Sequence, residues 1–115
     1  MTGHILIVDD DADLRDTLQM LLEPSGFQVV TAANGRAALE HLRSGARPRL
    51  ILLDLMMPQM NGWQFLEVAR ADASLASIPI VIMTAHKATN LPFDDVLYKP
   101  FDLDTLLAVI QRHAR

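Results

Sequence analysis

Four short apolar runs restrict the fold of this chain more than any other feature: Ile5-Leu6-Ile7-Val8, Leu50-Ile51-Leu52-Leu53, Ile80-Val81-Ile82-Met83 and Val96-Leu97-Tyr98. None alternates with polar residues, so each reads as a strand covered on both faces, the pattern of a parallel sheet. Each also delivers a polar group at its C-terminal end. Asp9-Asp10-Asp11 follows the first run, Asp54 the second, Thr84 the third and Lys99-Pro100 the fourth. Open α/β sheets bind ligands at that edge. Carboxylates, a hydroxyl and an ammonium gathered there suit a divalent cation and a phosphoryl group.

Between the runs the apolar period becomes helical. Leu14, Leu18, Leu21 and Leu22 share one face. Asp11 or Asp13 can accept backbone N–H groups at the start of that helix, and Pro24-Ser25-Gly26 ends it. Phe27 to Ala32 reads as the second strand. A second helix opens at Asn34-Gly35, turns Ala38, Leu39 and Leu42 inward and stops near Gly45 and Pro48. Pro58 to Gly62 reads as a loop, and Trp63 to Ala71 as a third helix with Phe65, Leu66 and Ala69 inward. Leu103, Leu106, Leu107 and Ile110 mark a final helix. Strand and helix alternating throughout imply an α/β, doubly wound parallel sheet of five strands with helices on both faces. Right-handed crossovers leave few strand orders. The order 2-1-3-4-5 sets the ends of strands 1 and 3 side by side, which brings Asp9 and Asp10 to Asp54.

A length of 115 residues fits one domain, 1–115, with a single core. The net charge of −4 argues against a nucleic-acid surface. The absence of cysteine excludes disulfides, thiolate metal sites and a Cys nucleophile. No apolar stretch approaches the roughly 20 residues of a membrane helix, and the first apolar run is too short for a secretory signal. The expected compartment is the cytoplasm.

The motifs together resemble the receiver domain of two-component response regulators, a CheY-like, flavodoxin-like fold, over essentially the whole chain. They are V-D-D-D at Val8 to Asp11, D-L-M-M-P at Asp54 to Pro58, N-G at Asn61-Gly62, T-A at Thr84-Ala85 and K-P-F at Lys99 to Phe101. The resemblance implies that Asp54 is the phosphoacceptor, phosphorylated with Mg²⁺ by a histidine kinase or phosphotransfer protein. It implies a metal held by Asp10, Asp9, Asp54 and the backbone carbonyl of Met56. Mg²⁺ wants oxygen ligands and keeps several waters. Lys99 would clamp a phosphoryl oxygen as a point charge, and Thr84 would donate its hydroxyl to another. Small Ala85 leaves the phosphate room. The resemblance also implies a cis Lys99-Pro100 bond, a form largely confined to proline.

Taken singly, each motif has a plainer explanation. Asp9 to Asp11 could be a solvated helix start, Asp54 a turn cap, Thr84 a satisfied hydroxyl and Lys99 a surface charge. Their joint occurrence, in order and at strand ends, favours the site. The four histidines show no ligand spacing and read as surface residues, while Met60 and Trp63 read as packing. A phosphatase using an aspartyl-phosphate would want a second acid two residues after the nucleophile, where Met56 stands. A flavin site would want a phosphate-cradling first turn, where acids stand.

Two departures from the family pattern affect signalling. Lys99 follows Thr84 by only 15 positions, which leaves about ten residues for the fourth crossover, near the minimum for such a connection. Pro92 would interrupt a helix there. The fourth helix is therefore expected to be reduced or absent, and His86 to Asp95 to be the most mobile internal segment. Val96 stands where the family often has a switching aromatic. Alternation puts Tyr98 on the same face, so Tyr98 is the available substitute. The expected function is a phosphoacceptor receiver, not an enzyme, acting on a separate downstream effector without touching nucleic acid or membrane. A receiver belonging to a longer protein is equally consistent. The alternative is a phosphorylation-independent, receiver-like interaction module.

Overall fold

In the computed structural model, which describes residues 3–57, 60–85 and 95–113, the apolar runs form one parallel sheet. Its strands are β1 (Ile5–Val8), β2 (Val29–Ala32), β3 (Leu50–Asp54), β4 (Ile80–Thr84) and β5 (Asp95–Tyr98), in the order β2-β1-β3-β4-β5. Among the described residues the helices are α1 (Ala12–Leu22), α2 (Gly35–Arg43), α3 (Gly62–Ala71) and α4 (Leu103–His113). The sheet divides the core in two. Leu6, Val8, Ile51, Leu53, Ile80 and Ile82 pack on one side with the buried faces of α2 and α3. Ile5, Ile7, Leu50, Leu52, Val81, Met83 and Leu97 pack on the other with α1 and α4. Adjacent side chains leave a strand on opposite faces, so runs without polar interruption are what this sandwich needs.

The helix faces follow the expected periodicity, with shifts at their margins. Ala38, Leu39 and Leu42 of α2 and Phe65, Leu66 and Ala69 of α3 are buried. On α1, Leu18 and Leu22 are buried, while Leu21 lies at the edge of the stripe and is exposed. On α4, Val109 is buried with Leu106 and Ile110, and Leu103, in the first turn, is exposed instead. The second strand starts two residues later than expected. Gly26 adopts a left-handed φ of 96° after a 3-10 turn at Glu23–Ser25, and the Phe27 N–H donates back to the Leu22 carbonyl at 3.3 Å. That closure keeps Phe27 out of the ladder.

Asn61-Gly62 is more than a loop. Asn61 accepts from the Gln64 N–H and Gln64 accepts from the Asn61 N–H, each at 2.9 Å. This reciprocal capping box satisfies two orphan donors and starts α3. Met60 packs against the α2–α3 core, but Trp63 is exposed on α3. Three histidines depart from a plain surface reading. His4 and His41 are half-buried and face each other, and His113 meets Asp95. The expected loss of the fourth-crossover helix and the expected mobility of that segment concern residues 86–94, which lie outside the described residues, as does His86. Among the described residues no helix is long and apolar enough to cross a membrane.

Candidate functional site

Register fixes the meeting of the acids. Val8 on β1 is the partner of Leu53 on β3, so Asp9 and Asp54 occupy the next step, at the C-terminal rim. Asp9, Asp10 and Asp54 each offer an oxygen within 4.8 Å of the others. Lys99 reaches this cluster from the end of β5. Its Nζ lies 2.9 Å from Asp9 Oδ2 and 3.6 Å from Asp54 Oδ1. The Lys99 N–H donates to the Thr84 carbonyl at 2.8 Å, and the Lys99-Pro100 bond is cis, as expected.

The three carboxylates are not equivalent. Asp9 is fully buried, and both its oxygens are engaged: Oδ2 by Lys99, Oδ1 by the Asp11 N–H at 2.9 Å. Its carbonyl accepts from Arg15 Nη1 at 2.7 Å. Asp11 caps α1, accepting from the N–H groups of Asp13 at 3.0 Å and Leu14 at 3.2 Å, which orients the acid turn. Asp10 is exposed and accepts no hydrogen bond among the described residues. Asp54 is buried, and its contacts fall on Oδ1, from Lys99 and from the Met56 N–H at 3.3 Å. Oδ2 has no partner among the described residues.

Burial, then the charge of Asp9, raises the Asp54 carboxyl to about 6, against the opposing pull of Lys99 and the Met56 N–H. For Lys99, burial alone favours the neutral amine. The hydrogen bond and charge of Asp9, with those of Asp54, outweigh it and hold the ammonium above its ordinary value. Three carboxylates against one ammonium leave two negative charges, which one divalent cation cancels. At an effective dielectric of about 20, two unit charges this far apart repel by about 3–4 kcal/mol. The cluster's donor set, all oxygen and partly exposed through Asp10, fits Mg²⁺.

Thr84 is buried at the end of β4, one step beyond Met83, the register partner of Asp54. Its own partner on β5 is Tyr98, which is exposed, while Val96 is half-buried. Alternation puts Thr84 with Ile80 and Ile82, on the α2–α3 side, whereas Asp54 shares parity with Leu50 and Leu52 on the other. The Met56 side chain is exposed and its N–H turns toward Asp54. A groove of 440 Å³ beside the cluster is lined by Asp11, Leu14, Ala85, Lys99, Pro100 and Phe101.

Gly62, the second residue of the Asn61-Gly62 motif, lies against the end of β3. A Cβ there would come within 2.9 Å of the Asp54 carbonyl oxygen and the Leu55 Cα. Gly62→Ala must therefore displace the end of β3 and is expected to cost about 1–3 kcal/mol. Urea unfolding measures this. A change below about 0.5 kcal/mol would mean that the strand end yields freely.

The chain belongs to the response regulator receiver domain family, whose profile matches residues 5–111. It is 38% identical to the DNA-binding response regulator MtrA of Mycobacterium tuberculosis over 122 aligned positions, covering 100% of this chain and 52% of MtrA. It thus spans about half the length of the sequence relatives it matches. Its structure is similar to that of chemotaxis protein CheY4 of Vibrio cholerae, with a TM-score of 0.90 at 31% identity, covering 98% of this chain and 99% of that one. It also resembles response regulator TrrA of Thermotoga maritima in complex with Mg²⁺-BeF, with a TM-score of 0.86 at 28% identity, covering 96% and 98% of the two chains. The family is a signalling module.

Proposed function

We propose that the chain is the phosphoacceptor receiver of a two-component system or phosphorelay, carrying the phosphoryl group on Asp54. The observation that carries this reading is the buried Asp54 beside Asp9, Asp10 and Lys99, with no partner on its Oδ2 among the described residues. Asp54 Oδ2 attacks the phosphorus of a phosphohistidine on a histidine kinase or phosphotransfer protein. An O–P bond forms, the P–N bond breaks, and the imidazole leaves. The Lys99 ammonium, already within reach of Asp54, holds a phosphoryl oxygen, and the Thr84 hydroxyl donates to another. Asp10, Asp54, Asp9 and the Met56 carbonyl would hold Mg²⁺, which supplies neutralisation of the phosphoryl charge. Asp9 has both oxygens occupied by the Asp11 N–H and Lys99, so Asp10 would be the direct ligand, with Asp9 direct or through water.

The phosphorylated surface then changes its affinity for a downstream effector. The net charge of −4 disfavours nucleic acid as a direct ligand of this domain. The module promotes its own phosphorylation by the donor and its own dephosphorylation, and turns over no released substrate. TrrA, similar along nearly its whole length, was captured with Mg²⁺-BeF, which supports the same chemistry here.

Incubation with acetyl phosphate and Mg²⁺, followed by intact mass, tests the proposal. One phosphoryl adduct that disappears with a chelator is expected. No adduct under any Mg²⁺ concentration would favour an interaction module that works without phosphate. Mg²⁺ alone is expected to stabilise the fold, because a ligand of the folded state adds about 2–3 kcal/mol at a hundredfold excess over its Kd. Asp10→Ala should remove that gain in a thermal melt. A Mg²⁺ response retained by the variant would move the metal elsewhere.

A further inference from the structure

We propose that Arg15 is a positioning residue of the acid cluster: its guanidinium fixes the peptide that carries Asp10 and so presets the direct metal ligand. The inference rests on the metal-dependent phosphoacceptor reading above. Arg15 lies on α1 and is half-buried. Helical side chains lean toward the N-terminus, and Arg15 follows that lean back over the acid turn. Its Nη1 donates to the Asp9 carbonyl, six positions upstream, at 2.7 Å.

That carbonyl stands where the sheet has run out. The register of β1 ends at Val8, opposite Ala32 on β2 and Leu53 on β3. The Asp9 N–H still reaches the Ala32 carbonyl at 3.1 Å, but the Asp9 carbonyl lies beyond the paired residues. Asp9 is fully buried, so its carbonyl needs a donor. The guanidinium supplies a charge-assisted one.

Both peptides that flank Asp10 are thereby pinned. The preceding one is held at its carbonyl by Arg15. The following one is held at its N–H, which Asp11 donates to Asp9 Oδ1 at 2.9 Å. Asp10 accepts no hydrogen bond among the described residues, so its direction is set by this backbone and not by a partner of its own. Arg15 also bonds the far end of the turn, where its N–H donates to the Asp11 carbonyl at 3.0 Å. One residue therefore spans the acid turn, with its side chain on Asp9 and its backbone on Asp11.

The charge of Arg15 opposes its geometry. A guanidinium beside the acids disfavours a divalent cation, whereas a ligand held in place favours one. Removing Arg15 separates the two effects by sign. Arg15→Met keeps an apolar stem but loses donor and charge. Mg²⁺ titration, followed by the nuclear magnetic resonance signals of the Asp10 and Asp11 amides, gives the Kd of the folded protein. Arg15→Met is expected to bind Mg²⁺ about tenfold more weakly, the usual scale for a group that orients a ligand. Arg15→Lys keeps the charge on a shorter reach and should lose affinity by a smaller factor. Acetyl phosphate labelling of Arg15→Met should fall at low Mg²⁺ and recover at saturating Mg²⁺.

A role confined to fold stability would lower the urea midpoint and leave the Kd unchanged. A purely electrostatic role would make Arg15→Met bind Mg²⁺ more tightly. Either result, with wild-type labelling intact, overturns the inference. Should Arg15→Met not fold, Arg15→Lys carries the test, with an unchanged Kd as the overturning result. A wild type that binds Mg²⁺ but takes no label would defeat the phosphoacceptor reading instead, and the dissociation constants would still decide Arg15. No Mg²⁺ response in the wild type would overturn both.

Discussion

Asp54→Asn is expected to abolish Mg²⁺-dependent phosphoryl labelling and, in the metal-free protein at pH 7, to raise stability by about 1–2 kcal/mol. The amide is nearly isosteric but forms no acyl phosphate. The stability gain follows from the raised carboxyl of Asp54, about 6 in the fold against an ordinary 3.8. Between those values the folded state binds more protons than the unfolded one, so stability falls as pH rises. The loss is complete above about pH 6 and absent below about pH 4, and the advantage of the variant should follow that window. Mg²⁺ should narrow it by stabilising the wild type alone. Urea unfolding from pH 4 to 7.5 measures the effect. A variant less stable than wild type at pH 7 would mean that Lys99 more than compensates the charge of Asp54. Labelling in Mg²⁺ should decline as pH falls, as the nucleophile becomes protonated.

Lys99→Met is expected to slow labelling by about 10²–10³-fold, the usual cost of removing one fixed donor from a developing charge. It should also destabilise the metal-free protein by about 2–4 kcal/mol, because the Asp9 carboxylate is fully buried and would lose its counter-ion. Mg²⁺ should restore part of that loss by supplying another cation. A solvated surface lysine would cost under about 0.5 kcal/mol. Denaturation with and without Mg²⁺, beside labelling time courses, separates the two. A small stability change that Mg²⁺ does not alter would remove Lys99 from the cluster.

The site was legible because its residues end apolar runs whose length and lack of alternation already specify a parallel sheet. The strand order then dictates that Asp9 and Asp54 adjoin, and the register does the rest. The division of labour among the acids was not legible. That Asp9 spends both oxygens on Lys99 and the Asp11 N–H, leaving Asp10 open, depends on how the α1 cap folds the turn. Asn61 was readable in principle, since Asn-x-x-Gln is a capping signal, but Pro58 to Gly62 reads first as a loop. Phe27 was misjudged because β propensity ignores the Gly26 closure that holds its N–H. The His4–His41 contact required tertiary structure, as local patterns carry no information about side chains brought together from β1 and α2.

Trapping the acyl phosphate by borohydride reduction, which converts a phosphorylated aspartate to homoserine, followed by peptide mass mapping, addresses the assignment of Asp54 most directly. After acetyl phosphate and Mg²⁺, homoserine is expected at position 54 and at no other aspartate. Homoserine at Asp9 or Asp10, or label retained by a histidine with position 54 unchanged, would contradict Asp54 as the acceptor.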